Sequence, residues 1–382
     1  MRIVLTTLAI AAITSSAHAT TVFETGINET LSNLLNDDVV VRNGTQLTID
    51  ASGQVIGAQV PAFIRAPEGV IVEDTSSVTL NGGSITGGQE LNGFTTPGNS
   101  FVPGDGATGV ATLGTSKLIV NSGSISGRDG QSGLRGGDAR SGLRADFDSM
   151  VTITGGTISG GIGGTGDTDA SSGDGGDAAL FLTRSMGQIS GGVFTGGTGR
   201  SGGDGLTVFN DAKVSVSGGT FTAGAGTQRD GWTVFVSNRG RVDISGGTFN
   251  SAVNGLGTSP TVFAEQDAII NLSGGTINGP VDLFGRAVLN LRGGEINGEI
   301  DMFGTSVLNV FGEDLAFMNG LLSGTLRSGQ SVDGLRVNVF DSAVVNLFET
   351  AVVPVPASLP LMVSGLAAFA LLRRRRSMQA SI

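Results

Sequence analysis

From residue 66 to 314 the apolar residues come in short runs in which every second position is apolar. Each run is followed by a polar residue and a glycine pair. In AVLNL, Ala287, Leu289 and Leu291 share one face, the period-2 signature of a half-buried strand. The runs recur. AIINLSGGTINGPVDLFGR spans Ala268 to Arg286, AVLNLRGGEINGEIDMFGT spans Ala287 to Thr305, and SVLNVFGEDL begins again at Ser306. The period of 19 residues aligns Asn271, Asn290 and Asn309, then Leu272, Leu291 and Val310, and Phe284 with Phe303. Upstream, the glycine-pair signature returns at Asn81, Asn121, Thr154, Ser190, Ser217, Ser245 and Ser273. The tripeptide TVF starts at Thr207, Thr233 and Thr261. That spacing of 26 to 28 residues places Phe194, Phe221 and Phe249 at one equivalent position, and Phe209, Phe235 and Phe263 at another.

A fixed period without helical spacing predicts one supersecondary unit per repeat, each unable to bury its apolar face alone. The expected fold is all-β: a right-handed parallel β-helix with irregular capping ends. Its coils stack at ~4.8 Å, so that Phe lies on Phe and Ile on Ile inside. About a dozen coils give a rod of ~60 Å. Residues 20–65 are expected to hold an N-terminal cap and the first coils. Ile27 to Leu35 is read as a short amphipathic cap helix before a strand at Asp38–Arg42. Residues 66–314 form the Gly-rich repeats and 315–352 a terminal group of cap strands. Open coil edges without caps template aggregation.

The two ends of the sequence read as addresses. Arg2, the apolar run from Ile3 to Ile13 and the small-x-small site at Ala17 and Ala19 predict a signal peptide over residues 1–19. It would be handled by the Sec machinery and signal peptidase. Val352 to Leu372 is 21 residues without a charge, long enough to span a ~30 Å hydrocarbon core as one C-terminal transmembrane helix. Arg373, Arg374, Arg375 and Arg376 mark the cytoplasmic side, with 377–382 as a cytoplasmic tail. Val353-Pro354-Val355-Pro356-Ala357, then the apolar run containing Gly365, then the arginines, together resemble the VPLPA-CTERM form of the PEP-CTERM sorting tails. Val355 stands where leucine is commoner. The resemblance covers about thirty residues, roughly 353–376 and its flanks. It implies an exosortase-type transpeptidase as partner in a Gram-negative bacterium. It also implies cleavage near VPVPA and delivery to the cell surface, outer membrane or an extracellular (biofilm) matrix. The Gly-rich body loosely resembles the passenger repeats of autotransporter adhesins. The barrel domain of that family is not in the sequence, so only the body is compared.

Composition narrows the chemistry. Sixty-five of 382 residues are glycine, and there is no cysteine and no tyrosine. The single histidine, His18, lies in the signal peptide. Without cysteine no disulfide supports an exported body, which leaves hydrogen bonding and packing. Five of the 22 basic residues sit in the terminal segments, leaving 17 against 33 acidic ones and a net charge near −16. Such a surface disfavours nucleic acid and anionic lipid. Ser-His-Asp, Cys-His and His-based zinc chemistry are all excluded for the mature chain.

Two carboxylate groups remain as candidate sites. Asp282 and Asp301 lie one period apart and would be ~5 Å from each other, the separation of a glycosidase pair. The simpler reading puts both at a solvated turn, with no aromatic platform beside them. The stretch from Gly160 to Ala179 carries Asp167, Asp169, Asp174 and Asp177, hard oxygen ligands suited to calcium. Neither an EF-hand spacing nor a regular calcium-binding nonapeptide is present. With RDGQSGLRGGDARSG from Arg128 and RSGGDG from Arg200, this stretch reads as flexible loops projecting from one side. In them Arg128, Arg135, Arg140 and Arg144 are available to pair with the acids. VTITGGT from Val151 suggests an ice-binding array, but the threonines elsewhere align too patchily for one.

The sequence thus predicts an exported, non-enzymatic structural or adhesive solenoid without a cofactor, contacting extracellular polysaccharide and no nucleic acid. The alternative is a carboxylate-based polysaccharide lyase or glycosidase at the surface, with calcium.

Overall fold

The computed structural model describes residues 20–349 apart from 61–64, 92, 96–99, 103 and 253–258, with the backbone alone for 93–95 and 100–102. The signal segment, the VPVPA motif and the Arg373–Arg376 cluster lie outside the described residues. No helix among the described residues is long and apolar enough to cross a membrane, and the expected span at 352–372 is not among them. The described residues up to Phe348 form one compact unit.

That unit is all-β, and nearly every strand pairs in parallel with the equivalent strand of the next repeat. One track runs through Thr20–Phe23, Asp38–Val41, Val70–Val72, Val110–Thr112, Leu143–Ala145 and Ala179–Phe181. It continues through Leu206–Val208, Val234–Val236, Val262–Ala264, Val281–Leu283 and Ile300–Met302 to the end of Ser331–Val339. A second track starts at Asn28–Leu31 and Gln46–Ile49 and runs on to Val307–Met318. A third passes through Thr157–Ser159, Val193–Thr195 and Thr220–Thr222. Each repeat up to Ile296 therefore contributes one rung to three tracks.

The length of the corner between the first and second tracks never changes. From Val40 to Thr48, from Phe263 to Asn271 and from Asp301 to Asn309 is eight positions each time. The backbone enters the left-handed region at this corner, at Asp148, Arg184, Asp211 and Arg239 in successive rungs. From Asp148 through Arg184, Asp211, Arg239 and Asp267 to Arg286 the charge alternates rung by rung. Arg184 pairs with Asp148, Arg239 with Asp211 and Arg286 with Asp267, each through two guanidinium hydrogen bonds. Those hydrogen bonds hold Asp148, Asp211 and Asp267 below the usual carboxylate range.

Along the strands of the rungs between the two ends, the inward residues alternate with outward ones and are buried, as in Ile269–Asn278 and Arg241–Asn250. Phe194, Phe221 and Phe249 stack face to face with centroids 4.4 and 4.9 Å apart, and all three are fully buried. Gly187 is the glycine of a column otherwise filled by Val151 and Val214. The ring of Phe181 occupies the space its side chain would need. On the outside, Asn290 donates to Asn271 and Asn309 to Asn290 (2.7 and 2.9 Å), the amide ladder that the 19-residue period implies.

Three expectations need correction. Ile27 to Leu35 is not a helix: Asn28–Leu31 and Leu34–Leu35 are strands of the first rung, paired with Gln46–Ile49 and Gln54–Ile56. Ile27, Leu31, Leu34 and Leu35 have the i, i+4, i+7, i+8 spacing of a helix face, but pairing with the rung at Gln46–Ile49 and Gln54–Ile56 overrides it. Second, the TVF tripeptides are not all in register. Phe235 lies over Thr207, so Phe209 is displaced by two positions. The inward pair Leu206 and Val208, matched to Val234 and Val236, sets the register, not the tripeptide. Third, the Gly/Asp-rich stretches are not free loops but are held by backbone hydrogen bonds to one another. At the C-terminal end Val307–Met318, Leu321–Leu326 and Ser331–Val339 fold as an antiparallel meander that buries Leu315, Leu322 and Leu326.

Candidate functional site

The Gly-rich stretches between the third track and the next strand of the first track form an ordered hydrogen-bonded layer. Their bonds recur every third residue. Gly127, Gly130 and Gly133 donate to the carbonyls of Ser159, Ile162 and Thr165 (2.9, 2.9 and 3.0 Å). Gly136, Ala139 and Gly142 donate to Ser171, Asp174 and Asp177. Running the other way, Gly161 and Gly164 donate to Arg140 and Gly137 (3.0 and 2.9 Å). A period of three is that of an extended polyproline II chain, which has no internal bonds and must satisfy its amides against neighbours. Glycine at every third position lets the chains approach. A Cβ on Gly130, Gly136, Gly160 or Gly197 would lie closer than 3.0 Å to a neighbouring carbonyl oxygen.

The aspartates of this layer bridge its segments. Asp105 accepts the N–H of Asp138, Asp138 that of Asp174, and Asp174 that of Ser201 (2.9, 2.9 and 3.0 Å). Asp177 accepts from Asp204, and Asp204 from Trp232 and the Thr207 hydroxyl (2.8, 2.8 and 3.0 Å). Of the calcium candidates, Asp174 is also clasped by Arg200 through two bonds. Burial opposes its ionisation, but Arg200 and the Ser201 amide outweigh it and hold Asp174 below the usual range. Burial pushes Asp177 up, and burial together with the Asp177 carboxylate pushes Asp204 well up. Asp167 lies at the rim of the layer, and Asp169 opens a single 3-10 turn, Asp169–Ser171. No group of three or more His, Cys, Asp or Glu able to hold a metal occurs among the described residues. Of the arginines, Arg144 pairs with Asp146, Arg140 with Asp105, and Arg128 donates to Gln89. A groove of about 690 Å³ runs beside Gln89, Arg128, Asp129 and Ile162, where Gln89 also donates to the Asp129 carbonyl.

Asp282 and Asp301 do come together, as register partners on adjacent rungs. They are not at a turn. Each is the outward, half-buried middle residue of a strand, Val281–Leu283 and Ile300–Met302. Asn338 continues the column and donates to Asp301 at 2.7 Å and to Glu299 at 3.1 Å. Burial, then the carboxylates of Asp301 and Glu299, push Asp282 up to about 6.

Aromatic rings do flank this column, against the expectation of none. Phe263, Phe284, Phe303 and Phe340 follow one another at 5.2, 4.4 and 4.7 Å, and Phe235 and Trp232 extend the row toward the N-terminus. The expectation missed that two adjacent columns, offset by two residues, merge into one row. The rings do not form a platform, however. Phe284, Phe303 and Phe340 stack nearly parallel (14° and 8°), so the ring faces within the stack are spent on neighbours, and only the outer face of Phe340 is left at its end. Trp232 stacks on Phe263, and the Arg229 guanidinium lies 4.3 Å above the indole. The 19-residue recurrence at Phe284 and Phe303 was the sequence signal for this row; Phe340, after the period ends, gave none.

Against known proteins, no family model, no curated protein and no solved structure matches the chain.

Proposed function

We propose that the protein is an exported, non-enzymatic right-handed parallel β-helix with a structural or adhesive role at the cell surface or in an extracellular polysaccharide matrix. Right-handed crossovers are the rule for parallel strands in one sheet. In this reading residues 1–19 direct Sec export and are removed by signal peptidase. Residues 352–372 hold the chain in the inner membrane, and an exosortase-type transpeptidase processes it near Val353-Pro354-Val355-Pro356-Ala357. The observation that carries the structural role is how the polar and aromatic groups are used. The aspartates of the Gly-rich layer cap rung-to-rung amides, and the outer rings stack on one another. What remains outward is repetitive texture along a stack of rungs, suited to many weak contacts with a long polymer.

The protein, incubated with neutral and acidic bacterial polysaccharides while binding and polymer length are followed, is expected to bind without shortening them. Shortening would overturn the structural reading. The half-buried Asp282 and Asp301, one rung apart with Asp282 near 6, favour a second reading as a carboxylate-based glycosidase or lyase. Loss of shortening in Asp282→Asn and Asp301→Asn would support it. For the address, mass spectrometry of the exported chain is expected to find cleavage near Ala357, abolished by Pro354→Ala with Pro356→Ala.

A further inference from the structure

The first and last rungs present the same two strands. At the N-terminal end Thr20–Phe23 lies on Asp38–Val41, and Asn28–Leu31 lies on Gln46–Ile49. At the C-terminal end Val337 to Val339 lies on Ile300–Met302, and Val344–Glu349 lies beside Val307–Met318. In the last pair Asn346 donates to Asn309 at 3.0 Å, continuing the amide ladder. Val22 to Thr30 is eight positions, and so is Asn338 to Asn346, the same corner as in every rung between. Among the described residues, both ends are therefore edges of the same two parallel tracks, with the same chain direction and corner.

We propose that the protein associates end to end with a second copy of itself, the first rung of one copy continuing the stack on the last rung of the next. Such a joint places Val22 over Asn338 and Thr30 over Asn346, one rung spacing apart. Strand edges carry rows of backbone donors and acceptors that a further strand satisfies. The joint also covers apolar surface. Phe340 and Phe348 end their aromatic columns at 45% and 47% exposure, stacked on Phe303 and Phe311. Across the joint, Ile27 is 61% exposed. The third track takes no part, because the meander strand Leu321–Leu326 closes that side at the C-terminal end. A head-to-tail contact that continues the same stack from copy to copy carries no closing rotation, so the product is a linear array, not a ring or a dimer.

One residue opposes the joint and sets its strength. Glu29 pairs with Leu47 in register and alternates with buried Leu31, so it occupies an inward position of the first rung. Its carboxylate accepts from the Thr25 hydroxyl at 3.0 Å. An inward charge on an edge rung is a known device against uncontrolled edge pairing. Here it limits the joint to high local concentration.

The chain has no cysteine, so cysteine pairs report the joint directly. In the full chain, kept in mild detergent, Thr30→Cys with Asn346→Cys would sit one rung apart across a joint. The expected spacing of ~4.8 Å is within reach of a disulfide. Mild oxidation is expected to give a ladder of linked dimers, trimers and longer species. Thr30→Cys with Asn309→Cys, whose second position is covered by the last rung, is expected to give none. A folded Thr30/Asn346 variant that links no more than this control would overturn the proposal. Should the variant fail to fold, light scattering and electron microscopy of the wild-type chain decide. Rods in whole-number multiples of one length support the joint, and single rods or side-by-side clusters at every concentration overturn it. Glu29→Leu is expected to lower the concentration of half-assembly about tenfold, the effect of burying one leucine in place of a charge.

Discussion

A Cβ on Gly197 would stand inside the contact distance of the Gly161 carbonyl oxygen, although the two residues are 36 positions apart in the chain. Gly197 also donates its N–H to Gly176 at 2.8 Å. The layer is therefore held by the absence of a side chain as much as by a bond. Gly197→Ala is expected to destabilise the body by about 3 kcal/mol, since backbone cannot move aside as a side-chain tip can. Gly329, at φ +87 with nothing within 4 Å of a new Cβ, is the control. Gly329→Ala is expected to cost only about 1 kcal/mol, the strain of the left-handed region. Urea unfolding of both variants measures the difference, and equal midpoints would refute it.

The interior and exterior aromatic columns should respond differently to truncation. Phe221 is sandwiched between Phe194 and Phe249 and fully buried, so Phe221→Ala is expected to cost about 4 kcal/mol. Phe340 has one stacking neighbour and is 45% exposed, so Phe340→Ala should cost about 1 kcal/mol. Thermal unfolding of the pair is the check. A larger loss at Phe340 would mean that the outer row carries the fold.

Ser116, Ser185 and Ser306 recur at the tight inner corner after the first track, each buried with no partner for its hydroxyl. A buried hydroxyl without a bond is a cost, so Ser185→Ala is expected to leave stability unchanged or raise it by up to about 1 kcal/mol. Ser149, in the same column, receives the Thr112 hydroxyl at 3.0 Å. There the alanine variant should lose about 1 kcal/mol. Chemical denaturation of the two variants side by side separates these outcomes.

Asp282 gives the fold a pH dependence opposite to that of the corner ion pairs. Its pKa in the folded chain is about 6, above the ordinary 3.8, so between these values the native state binds the extra proton. The contribution is present below about pH 4 and is lost as pH rises through about 6. Asp282→Asn removes it. From pH 4 to pH 7 the wild type should lose stability relative to this variant, on the order of 1 kcal/mol after discounting for a half-exposed group. Asp148, Asp211 and Asp267 work the other way: their pairing is present above the ordinary carboxylate pKa and lost as pH falls. Melting temperature against pH for both proteins tests the sign, and parallel curves would exclude a contribution from Asp282.

Much of the rung structure was legible in the chain. The 19-residue period fixed the partners of Asn271, Leu272 and Asp282, because alternation leaves one register in which apolar residues all face inward. The first rung was misread because an end repeat lacks the glycine-pair signature, and Ile27, Leu31, Leu34 and Leu35 carry the spacing of an amphipathic helix. The glycine layer was missed for a different reason. Its signal is a glycine period of three at Gly127, Gly130 and Gly133, which neither the strand nor the helix template detects. The outer aromatic row was hidden because its rings come from two columns two residues apart, and only the first-track register, with Phe263 over Asp282, brings them side by side.

That constant corner also dictates where this protein can change size. The first and second tracks are tied to an eight-residue step, and the step from the second track to the third is nearly as fixed: Ile244 to Phe249 and Leu291 to Ile296 are both five positions. Only the return side differs, from three positions, Asn278 to Val281, to twenty-four, Thr86 to Val110. Length can thus be added or removed on one flank without disturbing the other two. The protein is in effect a chassis with a single expandable side, into which foreign segments could be spliced rung by rung while the shared stack stays in step.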